Sequence, residues 1–186
     1  MAVQLERYRF TTAEYHRLAE AGILGEDDRV ELIEGELIAM NPIGPRHVSS
    51  VNRLNRLLVR ALGDAAIVQV QSPIRLDDRS EPQPDLSLLR PRPDFYVSSL
   101  PTPRDVLLVI EVADSSEAYD RRIKAPLYAR SGIPEYWLVR LERAHLVVFR
   151  DPSADGYLHR RVVRRSGTVS PLAFPQLELR VADLVG

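Results

Sequence analysis

The chain has 186 residues, 45% of them hydrophobic, and a formal net charge of −1, which suits one domain over 1–186 with a sizeable core. That charge excludes a general polyanion binder, so any nucleic-acid surface must be a local patch. The absence of cysteine excludes disulfides and thiolate metal sites and fits a reducing cytoplasm, and no apolar run approaches the ~20 residues of a membrane span.

In chain order, the N-terminus MAVQLERYRF lacks the apolar core of a signal peptide. Thr11-Thr12-Ala13-Glu14 reads as a capping box that opens a helix to about Ala21, with Tyr15 and Leu18 as its apolar stripe and Gly22 as its stop. Residues 30–40 alternate around Glu34-Gly35, a hairpin signal, with Glu31 and Glu36 at polar positions suited to a solvated sheet face. After a loop at 41–45, residues 47–62 place Val48, Val51, Leu54, Leu58 and Leu62 at helical spacing. Arg53, Arg56 and Arg60 occupy the other face, either solvated or on phosphate. His47, at the helix start, is either a cap or a site residue. Residues 66–71 and 73–76 read as strands. Pro84-Asp85 then opens a short apolar run, and the Pro-rich, aperiodic 90–103 reads as an exposed loop long enough to flank a cleft as a lid.

Residues 106–112 are a nearly unbroken aliphatic run, suited to a central strand buried on both faces. Glu111 interrupts it near its end, where a carboxylate in an apolar layer needs a metal, a hydrogen bond or a cation to offset its lost hydration. Asp114-Ser115-Ser116 can cap a helix running to about Arg130, ended by Ser131-Gly132. On it Asp120, Lys124 and Tyr128 are spaced by four and share a face. Asp120 with Lys124 is either a surface ion pair worth about 0.3 to 0.5 kcal/mol or a device that orients the ammonium. Pro126 predicts a kink or an early break. Residues 135–139, 145–150 and 157–164 read as strands, with Trp137 in the core and a basic run at Arg160, Arg161, Arg164 and Arg165. Residues 171–184 read as a short strand plus a turn, with Leu177, Leu179, Val181 and Leu184 sealing the core.

Of the 25 basic residues 24 are Arg, and the remaining one, Lys124, lies on the helix after the Glu111 strand. An ammonium is a point charge whose pKa responds to its surroundings, unlike a guanidinium. If Asp85, 26 residues before Glu111, opens a neighbouring strand, both carboxylates converge at one sheet edge beside Lys124. Two carboxylates and a lysine are the constellation of a metal-dependent phosphodiesterase. Asp85 and Glu111 would hold Mg2+ or Mn2+, and Lys124 would stabilise phosphate charge or help deprotonate water.

The order Pro-Asp, apolar strand ending in Glu-Val, then Lys resembles the PD-(D/E)XK restriction-endonuclease-like superfamily, although Ala113 stands where the lysine usually sits. A finer resemblance is to the Uma-two family of that superfamily, a domain of unknown function, over nearly the whole chain. It is carried by VELIEGELIAM, His47, Pro84-Asp85, VIEVADSS, YDRRIKAPLYARSGIPEYWLV and the closing hairpin. Ala113-Asp114 and Arg140 depart from the commoner residues at the periphery. The resemblance implies an α/β (α+β) fold: a mixed sheet flanked by helices, with extra hairpins at both ends. It implies a metal-dependent endonuclease acting on nucleic acid, DNA before RNA, as a homodimer. Under it, Glu31 can add a carboxylate to the metal site, and His47, Asp120 and Tyr128 are accessory residues. Two other readings stay open: a non-catalytic nuclease-fold module that binds nucleic acid or a protein, and a buried ion network that merely stabilises the sheet.

Overall fold

The structure, a computed structural model, describes residues 7–25, 27–114 and 116–185. Ser115, expected to help cap a helix, and the first six residues of the N-terminus lie outside these. Thr11 caps the first helix, α1 (Thr12–Glu20): its hydroxyl accepts the Glu14 N–H at 3.2 Å, and the Glu14 carboxylate accepts the Thr11 N–H at 2.8 Å. Strands β1 (Val30–Ile33) and β2 (Glu36–Ala39) form the expected hairpin, turned at Glu34 and Gly35, both at positive φ. Gly35 is required there, because a Cβ would sit 2.8 Å from the Cβ of Arg9.

Helix α2 (Pro45–Leu62) buries Val51, Leu54, Leu58 and Leu62, but Val48, counted in its apolar stripe, is exposed. Strand β3 (Ile67–Val70) follows. The expected strand at 73–76 is absent: Ile74 and Leu76 are buried, yet their N–H groups bond to Pro82 and Ser80 within an irregular turn rather than to a ladder. Strands β4 (Leu86–Leu89) and β5 (Val106–Ala113) come next, and every residue of β5 except Leu107 is buried.

The chain then forms α3 (Glu117–Tyr119), a π-helical turn (Asp120–Lys124) and α4 (Ala125–Arg130). The wide turn, closed by Ala125 N–H on Asp120 C=O, brings the helix to Pro126. The missing donor of that proline is thus met by a bulge rather than a break. Gly132, at φ +80°, ends the helix. Strands β6 (Glu135–Arg140), β7 (His145–Ser153) and β8 (Gly156–Arg164) complete the main sheet. A two-stranded ribbon, β9 (Thr168–Val169) with β10 (Leu179–Arg180), precedes α5 (Val181–Val185). Residues 181–185 are thus helical where a turn was expected. Their Val181 and Leu184 do seal the core, as does Leu179, while Leu177 packs against it half-buried.

The main sheet runs β3-β4-β5-β6-β7-β8, with β5 and β6 parallel and every other pair antiparallel. One face packs under α2 and α5 with Leu108, Ile110, Val112 and Trp137. The other packs under α4 and the N-terminal hairpin with Val109, Ala113, Tyr128 and Tyr136. Glu111 alternates with Val112 and so belongs to this second face, at the end of a central strand.

Candidate active site

The β4–β5 register pairs Leu86 with Ile110, so the next step places Asp85 opposite Glu111. The two acids hold each other through backbone donors. The Asp85 N–H donates to Glu111 Oε2 at 3.3 Å, and the Val112 N–H donates to Asp85 Oδ2 at 2.8 Å. Both are buried. From the π turn, Lys124 Nζ reaches Glu111 Oε1 at 3.0 Å, and the Tyr128 hydroxyl donates to the same oxygen at 2.9 Å. The three residues singled out by the sequence therefore meet in one place.

Glu31, one of the polar positions of the hairpin, is not on a solvated face. It is only 2% exposed, and its Oε2 lies 3.2 Å from Lys124 Nζ, so the ammonium is clamped between two carboxylates. His47 is a site neighbour rather than a surface cap, with Nε2 3.0 Å from Asp85 Oδ2. Asp120 is buried, which rules out a surface ion pair with Lys124, and no ion pair between the two is present among the described residues. Its carboxylate accepts instead from the Ser116 hydroxyl at 2.5 Å.

Sequence reasoning missed two neighbours. Tyr119 places its hydroxyl 3.5 Å from Glu31 Oε1 and its ring 6.0 Å from Lys124 Nζ, and the Gln83 N–H donates to Glu31 Oε2 at 3.2 Å. Tyr119 precedes Lys124 by five residues, a spacing that shares a side only in a π turn. A search at intervals of three and four passes over it.

A cavity of about 410 Å³ opens on this cluster, lined by Glu31, His47, Asp85, Glu111, Asp120 and Lys124, while Tyr128 supports Glu111 from behind. The 90–103 loop does not line it, contrary to the expected lid. Strand β4 leads away from Asp85, so the loop leaves the sheet at the far end, where Tyr96 packs into the second core cluster.

Four buried carboxylates thus face one lysine and one histidine. Burial pushes the Glu111 carboxyl well above its ordinary range; Lys124 opposes this, and Asp85, Asp120 and Glu31 add to it. Asp120 is pushed up to about 6, chiefly by burial, against Lys124 and the Ser116 hydrogen bond. Burial alone would lower the Lys124 ammonium, but Glu111, Glu31 and Asp120 outweigh it and hold the pKa above its usual value. His47 is likewise lowered by burial and raised on balance, by its hydrogen bond and charge interaction with Asp85. The lysine is therefore a cation at neutral pH, and the surplus negative charge calls for protons or for another cation.

The donor set fits a hard divalent cation. Among the described residues Asp85 Oδ1 meets only Gln71 Nε2, at 3.5 Å, and Glu111 Oε2 only the Asp85 N–H, which leaves both with acceptor capacity there. No ready-made group of three or more His, Asp or Glu ligands exists among the described residues. Magnesium commonly takes one or two carboxylates and completes its shell with water and substrate phosphate, a demand with which two neighbouring carboxylates are compatible.

Sheet order, layering and the acids at the strand end define a nuclease-like α/β fold. Residues 12–182 match the Uma2 family, described as putative restriction endonuclease, and the chain belongs to that family. Among solved structures it is similar to a putative nuclease belonging to DUF820 from Anabaena variabilis ATCC 29413. The TM-score is 0.74 at 17% identity, covering 95% of this chain and 97% of that one. No curated protein matches.

Proposed function

We propose that this chain is a metal-dependent endonuclease that hydrolyses phosphodiester bonds of nucleic acid, DNA before RNA, with Asp85 and Glu111 as ligands of Mg2+ or Mn2+. The observation that carries this reading is the convergence of Asp85, Glu111 and the only lysine in one cavity of a restriction-endonuclease-like sheet. The ion would polarise the phosphate and position the attacking water. The chain's own residues do the rest. His47 and the Val112 N–H orient Asp85, and Tyr128 orients Glu111. Lys124 is held charged by its two carboxylates, which favours its donating to a non-bridging phosphate oxygen over its acting as a general base. Glu31 serves as its second anchor rather than as a metal ligand. In this reading the protein works as a homodimer in the cytoplasm. The cysteine-free composition supports the compartment, and size-exclusion chromatography with light scattering tests the dimer.

The test is cleavage of supercoiled plasmid, duplex and single-stranded substrates with Mn2+ or Mg2+ by the wild type and by Asp85→Asn, Glu111→Gln and Lys124→Ala, each verified as folded by circular dichroism. Cutting by the wild type and by none of the three is the expected result. Undiminished cutting by all three would sink the assignment. Chelator-insensitive DNA binding without hydrolysis would instead favour the non-catalytic module.

A further inference from the structure

Helix α2 has 18 residues, four of them arginine and none acidic, in a chain whose 25 basic and 26 acidic residues nearly balance. Its apolar stripe is buried against the sheet, and Arg53, Arg56 and Arg60 are exposed. At about 100° per residue the three fall within about 60° of one another, and at 1.5 Å per residue they span about 10 Å. Arg46, in the first turn, lies on the same flank and extends the stripe to about 21 Å.

Elsewhere the chain pairs many of its arginines: Arg92 with Asp94, Arg130 with Glu34, Arg140 with Glu117, Arg150 with Glu135, and Arg180 with Asp183. Arg46 itself pairs with Asp114. Among the described residues Arg53, Arg56 and Arg60 have no such partner. The start of the same helix belongs to the cavity, where Gly44 lines the wall and His47 holds Asp85. The unpaired guanidiniums therefore begin at Arg53, about 9 Å along the helix from His47, and lead away from the candidate site, with the ion-paired Arg46 beside His47 at the helix start.

We propose that this face of α2 is a phosphate track: it holds the sugar–phosphate backbone of a nucleic-acid duplex, whose strand enters the cavity at the His47 end. The proposal rests on the nuclease reading for its choice of partner. Guanidinium forks suit phosphate oxygens, and successive phosphates of one strand rise about 3.4 Å along a duplex axis, so a rigid 10 Å row reaches about three of them. With a net charge near zero, non-specific affinity falls to local basic rows, of which this one starts on the helix that enters the candidate site.

The experiment is fluorescence anisotropy of a labelled 20-base-pair DNA duplex, in EDTA so that nothing is cut, over a range of salt concentrations. The triple variant Arg53→Gln, Arg56→Gln, Arg60→Gln should bind at least tenfold more weakly at low salt. Its plot of log affinity against log salt should flatten by about 2.7, or about 0.9 per lost phosphate contact. Arg56→Gln alone should flatten it by about 0.9, which serves if the triple variant misfolds. A control of equal charge, Arg160→Gln, Arg161→Gln, Arg164→Gln on β8, should keep wild-type affinity and slope. Wild-type behaviour of the α2 triple variant, equal loss in the β8 control, or no duplex binding by the wild type would overturn the track. Equally tight, stripe-dependent binding of poly-glutamate would replace the nucleic acid by an acidic protein partner. The two readings fail separately. Mn2+-dependent cutting undiminished in the α2 triple variant sinks the track alone, and stripe-dependent binding without any cutting sinks the nuclease alone.

Discussion

Lys124 and Glu31, brought together from the π turn and the N-terminal hairpin, form an ion pair at 3.2 Å with both side chains almost fully buried. Because Glu111 lies 3.0 Å from the same nitrogen, deleting the lysine strands two carboxylates in a low-dielectric site. Lys124→Met should cost about 3–5 kcal/mol at pH 7, read by urea denaturation. The loss should shrink on acidification, as the stranded carboxylates take up protons. Glu31→Gln should cost less, since Glu111 still holds the ammonium. An unchanged denaturation midpoint in Lys124→Met would show that the pair contributes nothing to stability.

Divalent cation binding should depend on pH in a defined direction. Glu111, raised by burial, must release its proton to act as a ligand, and a charged His47 beside Asp85 repels a cation. Both deprotonations favour the ion. Calorimetric titration of Mn2+ should therefore show about one site per chain, with affinity increasing from pH 5.5 to 7.5. The site should vanish in Asp85→Asn with Glu111→Gln, and His47→Asn should weaken the pH dependence. Affinity that stays flat over this range would mean that neither group titrates there.

Asp120 makes the opposite kind of contribution from an ordinary salt-bridged acid. Its folded pKa is raised from 3.8 to about 6, so the folded state holds more protons than the unfolded chain between those values. Its stabilising term is complete below the unfolded pKa and is lost as pH rises through the folded one. Asp120→Asn should accordingly stabilise the protein above pH 6 by roughly 1–3 kcal/mol and match the wild type near pH 4. Urea denaturation at pH 3.5 and 7.5 distinguishes this from a variant less stable at both.

Much of this arrangement was legible because local rules coincide with the fold. The capping box at Thr11, the Glu34-Gly35 turn and the aliphatic β5 run each specify one element without help from the rest of the chain. Asp85, Glu111 and Lys124 stood out by residue type and order. What stayed hidden depends on long-range packing. Glu31 looks solvated in a strand pattern because nothing local shows that Lys124 will cover it. Residues 73–76 have strand composition but no partner strand, and 181–185 fold into a helix too short for periodicity to reveal. The placement of the 90–103 loop at the far end of β4 follows from strand direction, which sequence alone does not give.

Glu135 offers a test of how separable the scaffold is from the site. Fully buried at the start of β6, it accepts from Trp137 Nε1 at 2.8 Å, Arg150 Nε at 2.8 Å and the Leu172 N–H at 2.5 Å, tying β6 and β7 to the C-terminal segment. It precedes Leu138, the β6 neighbour of Glu111, by three residues, about 10 Å along the strand. Removing it strands the half-exposed Arg150 and leaves buried donors unsatisfied, so Glu135→Ala should cost about 3 kcal/mol. Trp137, the only tryptophan, reports the unfolding by its fluorescence. At low urea, where the variant is still folded, the stoichiometry and pH dependence of Mn2+ binding should match the wild type. If the mutation abolishes ion binding in the folded state, the sheet transmits strain from this latch to Glu111, and the carboxylate pair is less rigid than its backbone hydrogen bonds imply.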